Sequence, residues 1–160
     1  MIEKTLVLIK PDGVQRGISG EIIQRFEKVG LKIVALKMIH VDKEFARSHY
    51  EEHVDKKFYP GLESLITMGP VIAIVLEGIG SIELVRKMVG ATEPKSAAPG
   101  TIRGDYAHVS YGYADDKGIS IKNVIHASAN KSDADKEVKL WFEDSEIYDY
   151  EVVHDVHTRK

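Results

Sequence analysis

The sequence contains no cysteine, which excludes disulfides, thiol catalysis and thiolate metal sites together. No apolar run in the 160 residues approaches the roughly 20 residues that a membrane-spanning helix needs, so we expect no membrane partner. The N-terminus lacks the basic region and long apolar stretch of a signal peptide, which favours a cytoplasmic protein. The net charge of −3 argues against general nucleic-acid binding but allows a local phosphate pocket.

The glycine-rich motifs that bind phosphates through the backbone are also missing. There is no P-loop pattern and no glycine-rich loop of the protein-kinase type. Gly78-Ile79-Gly80 is similar to the start of a dinucleotide fingerprint, but Glu83 stands where the third glycine belongs. These glycines are better interpreted as a strand-to-helix turn. A phosphate ligand would therefore have to be held by side chains.

The hydrophobic pattern predicts alternating strands and helices. Apolar runs at 5–9, 31–39 and 71–77 are typical of strands, and a fourth strand is expected to end near Ile125. Helices are predicted to begin at Ser19, at Asp42 or Lys43, shortly after Gly61, at Ser81 and at Ser132. The resulting βαββαβ order predicts a ferredoxin-like α+β sandwich, with a four-stranded antiparallel sheet and helices on one face.

Three stretches are less regular. Residues 91–105 are rich in Pro, Gly, Ser and Thr and are interpreted as a long loop, which is often functional in a compact domain. Residues 106–122 are predicted to form a strand followed by a turn at 115–118. The acidic tail from Glu143 is expected to pack only in part. Without repeats or low-complexity linkers, residues 1–160 are expected to form one domain with one core.

A histidine follows the last predicted strand. Val124 and Ile125 end an apolar run, and His126 comes next, where a rigid strand end can present a nucleophile. Residues after it are small and polar and lead to Ser132, the expected helix cap. A histidine in such a place is more often an ordinary loop or edge residue, so this stretch alone does not establish catalysis.

Cationic and hydroxyl side chains at several other positions are candidates for holding phosphates. Arginine can pair bidentately with phosphate oxygens, lysine supplies a point charge and threonine supplies a hydroxyl donor. The candidates are Lys10, Arg86, Thr92 and Arg103. Each alone is expected on the surface, but together with His126 they would suit phosphoryl transfer through a phosphohistidine.

A zinc site is a competing interpretation. His49-Tyr50-Glu51-Glu52-His53 has the letters H-x-x-E-H of an inverted zinc-protease motif, with the two histidines one helical turn apart. The sequence offers no obvious third ligand, and a single small domain leaves little room for a protease cleft. The zinc site is therefore the less favoured hypothesis.

Several separate sequence blocks extend over nearly the whole chain, from Thr5 to about Phe142. The blocks are IKPDGVQRG at 9–17, HY at 49–50, FYPGL at 58–62, GP at 69–70, PGTIRGD at 99–105, NVIHAS at 123–128 and ExxLWF at 137–142. With all of these blocks in order, the chain resembles the nucleoside diphosphate kinase family.

The resemblance implies a ping-pong reaction in which a magnesium-bound nucleoside triphosphate phosphorylates His126 and a nucleoside diphosphate then takes the phosphoryl group. Lys10 and Tyr50 would lie near the transferring group, with Lys10 also reaching the sugar hydroxyl. Glu137 and Ser128 would orient the imidazole. The implied nucleotide contacts are Arg86, Thr92 and Arg103 to phosphates, Asn123 to ribose, Phe58 stacking on the base and Leu62 lining the same slot. Mg²⁺ would be held mainly by the nucleotide phosphates, with no protein ligand assigned.

The chain departs from the family pattern in three places. Ala127-Ser128-Ala129-Asn130 replaces the commoner Gly-Ser-Asp-Ser, which questions local contacts but not the nucleophile. An insertion within 106–122 is interpreted either as a longer hairpin or as a change to a subunit contact or the site entrance, and the tail at 143–160 is atypical. The resemblance implies a hexamer, or less often a tetramer. A catalytically silent nucleotide-binding or partner-binding module is the alternative, but the complete set of site residues argues against it.

Overall fold

A computed structural model describes residues 1–159, which form a four-stranded sheet with helices around it. The strands are β1 Ile2–Ile9, β2 Lys32–His40, β3 Pro70–Ile79 and β4 Ile125–Ala127. Their spatial order is β2-β3-β1-β4, and every neighbouring pair is antiparallel. The predicted ferredoxin-like α+β fold is confirmed. β1 lies inside the sheet, where its side chains from Thr5 to Ile9 are fully buried.

The helices cover both faces of the sheet, whereas the sequence predicted them on one face. Leu6 and Leu8 of β1 belong to one apolar cluster, and Val7 and Ile9 belong to a second cluster on the opposite face. A strand that is apolar on both faces needs cover on both. The helices are α1 Pro11–Gln15, α2 Ser19–Lys28, α3 Lys43–His49, α4 Tyr59–Thr67, α5 Ser81–Val89, α6 Ile102–Tyr106, α7 Tyr111–Lys117, α8 Lys131–Trp141 and α9 Asp155–Thr158.

The two faces divide these helices between them. Helices α3, α4 and α8 contribute Ala46, Ile66 and Val138 to the cluster of Leu6 and Leu8. Helices α2, α5 and α6 contribute buried residues to the other cluster, which therefore forms a second core region instead of the single core expected from chain length. None of the helices within residues 1–159 is long and apolar enough to cross a membrane.

The predicted strand and turn between 106 and 122 are wrong, because much of this stretch is helical. The Ser110 hydroxyl caps α7 by accepting a hydrogen bond from Tyr113 N at 3.2 Å. Gly118 ends the helix in a left-handed conformation with φ 61°. Only Ala114 of α7 is buried, so the apolar alternation that defines a strand is absent. The neighbouring loop 91–105 also contains the 3₁₀ helix Pro94–Ser96 and most of α6.

The start of α8 also differs from the prediction. Asn130, not Ser132, is the N-cap, since its Oδ1 accepts a hydrogen bond from Asp133 N at 3.0 Å. Asparagine and serine cap helices about equally well, so the pattern alone did not distinguish them. The replacement of the family's commoner residue by Asn130 therefore supports the helix that follows His126.

The C-terminal tail packs only in part, as expected, since most residues from Glu143 to Thr158 are exposed and Asp155 is buried. Tyr148 N donates to Val34 O of β2 at 2.8 Å, so part of the outer sheet edge is covered. Further along, Arg159 donates to Glu77 Oε1 of β3 at 2.7 Å. The same carboxylate oxygen lies 3.0 Å from Lys32 Nζ, which is almost fully buried. The tail thus joins a charged network that links β2 and β3.

Candidate active site

His126 lies in the middle of the short edge strand β4, opposite Leu8 of β1. The adjacent Ile125 and Ala127 are buried on the other face, which fixes the strand and leaves the imidazole half-buried. Val124 precedes the strand with φ 60°, an unfavourable conformation for a β-branched residue. Its N–H donates to Asp12 Oδ2 at 3.0 Å, so the motif after β1 stabilises the turn that delivers His126.

The Val124 turn also depends on close packing against the IKPDG block. Lys10 N donates to Val124 O at 2.9 Å. A Cβ built on Gly13 would lie only 3.0 Å from the same carbonyl oxygen, so a side chain there would force a shift. The glycine and aspartate of this block therefore have a local structural purpose that periodicity did not reveal.

Glu137 of α8 orients the imidazole. The Nε2 atom of His126 lies 2.9 Å from Glu137 Oε1, and the Ser128 hydroxyl donates to Glu137 Oε2 at 2.5 Å. Burial alone would raise the pKa of Glu137, but the bonds from His126 and Ser128 bring it below its ordinary value. The charged carboxylate favours a proton on Nε2. The lone pair of the neutral ring is then on Nδ1, the atom available for attack.

Two buried cations lie near this histidine, and no carboxylate within residues 1–159 is bonded to either. Lys10 Nζ donates to Asn123 Oδ1 at 2.7 Å, and burial together with the nearby Arg103 lowers the pKa of Lys10 to about 8. Arg103 donates to the carbonyls of Gly90 at 3.0 Å and Ile125 at 2.7 Å. Burial and the charge of Arg86 lower the pKa of Arg103 to about 10. Such mutually repelling cations favour binding of an anion.

The other predicted phosphate and ribose residues lie on elements that meet at β4. Arg86 of α5 is half-buried and approaches Ala127 O at 3.4 Å. Thr92 is exposed, and its carbonyl accepts a hydrogen bond from Asn123 Nδ2 at 2.8 Å. Asn123 therefore connects Lys10 to the Thr92 loop. The sequence predicted these residues as a set, and the structure joins their elements around one strand.

The predicted base-binding residues lie at the start of α4. Phe58 exposes 54% of its surface, as a stacking platform requires, while Leu62 packs against the core.

Tyr50 is buried, and its pKa is raised by burial first and by Glu137 second, so it is a neutral phenol. An open cleft of about 680 Å³ reaches His126 and Tyr50 from the side of α3 and α8.

His49 is a neighbour of the nucleophile that the sequence interpretation missed. Its ring lies 4.8 Å from that of His126, nearly perpendicular to it. Burial and the nearby His126 lower the pKa of His49 to about 3, so the ring is neutral. Trp141 Nε1 donates to His49 Nδ1 at 3.2 Å, which places the proton of this neutral ring on Nε2. The buried Nε2 has no partner within residues 1–159.

The arrangement around His49 does not support the zinc-protease hypothesis. Donor atoms of His49, His126 and Glu137 lie within 4.8 Å of one another, whereas His53 does not belong to that group. With its proton on Nε2, His49 also has no lone pair there for a metal. The H-x-x-E-H pattern therefore singled out His49 as a zinc ligand, whereas the structure has it as a neighbour of His126. Sequence spacing cannot show that a helix residue lies beside a strand distant in the chain.

An oriented histidine beside buried cations that lack a carboxylate partner within residues 1–159 is typical of a group-transfer enzyme for anionic substrates. A family model described as nucleoside diphosphate kinase matches residues 3–147. The chain belongs to the nucleoside diphosphate kinase family, which confirms the resemblance drawn from its motifs.

Known proteins agree in sequence and in structure. The chain is 56% identical over 149 residues to nucleoside diphosphate kinase of Pyrococcus furiosus, covering 93% of this chain and 88% of the relative. A Borrelia burgdorferi nucleoside-diphosphate kinase, solved as a transition state mimic with bound vanadate and ADP, matches with TM-score 0.95 and 48% identity, covering 98% and 96% of the two chains. A Halobacterium salinarum nucleoside diphosphate kinase in complex with CDP matches with TM-score 0.89 and 42% identity over 100% of both chains.

Proposed function

We propose that this protein transfers the γ-phosphoryl group of a nucleoside triphosphate to a nucleoside diphosphate through His126. The observation that carries the proposal is the His126 Nε2–Glu137 contact of 2.9 Å, because it leaves Nδ1 as the free nucleophilic atom. The Borrelia burgdorferi relative with bound vanadate and ADP supports the same chemistry, since vanadate can mimic a phosphoryl group in the transition state of its transfer.

The reaction has two halves that share one intermediate. In the first, the Nδ1 lone pair attacks the γ-phosphorus while the bond to the β–γ bridging oxygen breaks, and the nucleoside diphosphate leaves with that electron pair. The imidazole becomes cationic, and the Glu137 carboxylate stabilises it through the proton on Nε2. In the second half, a terminal phosphate oxygen of another nucleoside diphosphate attacks the phosphorus of the phosphohistidine. The P–Nδ1 bond breaks and its electron pair returns to Nδ1, which restores the neutral ring.

The surrounding side chains would divide the nucleotide between them. Lys10 and the neutral Tyr50 phenol would donate to the transferring group, and Lys10 would also reach the sugar hydroxyl. Arginine forks and a hydroxyl suit the phosphates that stay behind. The roles assigned are Arg86, Thr92 and Arg103 for those phosphates, Asn123 for ribose, Phe58 for stacking on the base, Leu62 for the side of the base slot and Ser128 for orientation of Glu137. Stacking is compatible with low base specificity, because every base has a π-face.

Mg²⁺ fits this site when it arrives with the nucleotide. Within residues 1–159, the side chains whose donor atoms lie close enough together for a metal are His49, His126 and Glu137, but His49 has its proton on Nε2 and the other two bind each other. A hard cation prefers oxygen ligands. The buried Oδ1 of Asp12 has no partner among the described residues and is available for a metal-bound water. Bound to the phosphates, Mg²⁺ would neutralise their charge.

The assembly that we propose is a homohexamer, with a tetramer as the less favoured state. Large apolar side chains support an oligomer, because Leu36 and Met38 of the outer strand β2 expose 51% and 57% of their surfaces. The mass of the native protein in solution would distinguish six subunits from four, and a monomer would contradict both.

We propose the cytoplasm as the compartment, since the proposed substrates are the nucleotides of the cell interior.

Labelling with γ-³²P-ATP tests the proposed reaction. The protein with Mg²⁺ is expected to acquire an acid-labile, alkali-stable label that peptide mapping locates at His126. Addition of an unlabelled nucleoside diphosphate should move the label to the corresponding triphosphate, and chelation of Mg²⁺ should slow both steps. Protein that stays unlabelled, or a label on any other residue, would overturn the proposal and favour the silent binding module.

A further inference from the structure

We define the nucleotide cleft as the space proposed for the substrate between the phosphate contacts around β4 and the base contacts Phe58 and Leu62. None of these contacts lines the open cleft beside α3 and α8.

Residues 107–121 begin at the loop that carries Thr92, on the phosphate side of the nucleotide cleft. Glu93 Oε1 accepts a hydrogen bond from Tyr111 N at 2.9 Å. Lys95 N donates to Val109 O at 3.2 Å. These two bonds attach the start of α7 to the Thr92 loop.

The other end of the segment lies against the first turn of α4, on the nucleoside side of the cleft. A Cβ built on Gly61 would lie 3.1 Å from Ser120 N and 3.3 Å from Ser120 Cβ. Such distances are tighter than ordinary side-chain contacts, so only glycine permits this approach without a shift. Phe58 and Leu62 flank Gly61 and share its helix start. The segment therefore contacts the element that holds the proposed base slot.

Helix α7 forms a defined spacer between these two attachments. The Ser110 cap and the left-handed Gly118 fix its two ends, and Ala114 is the residue of the helix that is buried. The start of this helix also acts on one of the phosphate cations. Burial and the charge of Arg86 lower the pKa of Arg103, and Tyr111 opposes that shift.

We infer that residues 107–121 set the width of the nucleotide cleft, with the Gly61–Ser120 contact positioning Phe58 opposite the phosphate-holding cations. The inference rests on the proposed function. A fixed width favours ligands that touch both sides at once, which are nucleoside diphosphates and triphosphates. Pyrophosphate touches only the phosphate side, so its binding should not depend on this width.

Two alanine substitutions separate the cleft contact from general effects on the fold. Gly61→Ala should shift α4 from Ser120 by a few tenths of an ångström. Because base–aromatic stacking depends on the position of Phe58, we expect its partial loss to raise the Kd for ADP about fivefold. The Kd for pyrophosphate and the kcat at saturating nucleotide should stay within about twofold, since stacking is the same in the ground state and the transition state. Gly112→Ala is the matched control, because a Cβ there meets nothing within 4 Å.

Glu93→Gln tests the opposite attachment. A neutral amide accepts more weakly than a carboxylate, so Tyr111 N is held less firmly and ADP affinity should again fall while pyrophosphate affinity does not. Calorimetric titration of all variants measures both ligands. Wild-type ADP affinity in both Gly61→Ala and Glu93→Gln would overturn the inference, and so would equal losses for ADP and pyrophosphate. Failure of the proposed function would differ, since the unaltered protein would then form no phosphoenzyme.

Discussion

Replacing His126 with alanine is expected to lower nucleotide-dependent phosphoryl transfer by about 10⁴-fold or more, the scale of losing a covalent nucleophile. Both half-reactions pass through the same Nδ1 atom, so no partial route through the intermediate survives. The coupled steady-state rate and the stoichiometry of phosphoenzyme measure the effect. ADP should still bind, because the buried Lys10 and Arg103 side chains are unchanged.

His157→Ala is the matched control for this substitution. His157 is exposed on α9 in the C-terminal tail, on a different part of the chain from β4. The control should keep the wild-type rate, and its phosphoenzyme should form in full. A His126→Ala protein that still forms an alkali-stable phosphoenzyme at the normal rate would show that another side chain carries the phosphoryl group.

The sheet was predictable because the apolar pattern of its central strands is compatible with few positions other than the interior of a sheet. Runs that are apolar on both faces belong inside a sheet, and β1 and β3 occupy the two interior positions. They pair antiparallel from Ile2–Ile79 to Ile9–Ile72. The number of layers was harder to predict. An apolar run shows that both faces are buried, but it does not show which helices cover each face.

The stretches that were mispredicted depend on single capping residues instead of periodicity. α7 has one buried residue, Ala114, and its limits are set by the Ser110 hydroxyl and by Gly118. The start of α8 was predicted two residues late because Asn130 and Ser132 are both good caps. Local chemistry of this kind leaves little trace in a hydrophobic pattern, and helix ends are accordingly the least predictable features.

The site shows which information a sequence holds. The histidine and the scattered cations suggested phosphoryl transfer from sequence, whereas the other site residues came from the family resemblance and stay predictions. His126 was expected after the last strand and lies in the middle of β4. The position of His49 was not predictable, because its contact with His126 joins residues far apart in the chain. The strained Val124 turn was also hidden, since it depends on Asp12 from another element.

Lys10→Met is expected to lower kcat by about 10²- to 10³-fold, the usual cost of removing one charged donor from a transition state. Methionine is similar to lysine in length and tolerates burial, so it removes the charge while filling the space. Nucleotide affinity should fall less than kcat, because the arginines still hold the other phosphates. Lys87→Met, at an exposed position of α5, is the control and should have no effect on kcat.

The acidity of Lys10 adds a pH dependence to this prediction. Burial and the neighbouring Arg103 lower the pKa of Lys10 to about 8, and only the protonated amine is a cation. In the free enzyme the cation is therefore present below pH 8 and lost above it, so kcat/KM should fall as pH rises through about 8. Bound phosphates favour the charged form, so the falling limb of kcat should lie at higher pH. Persistence of the kcat/KM limb in Lys10→Met would assign it to another group.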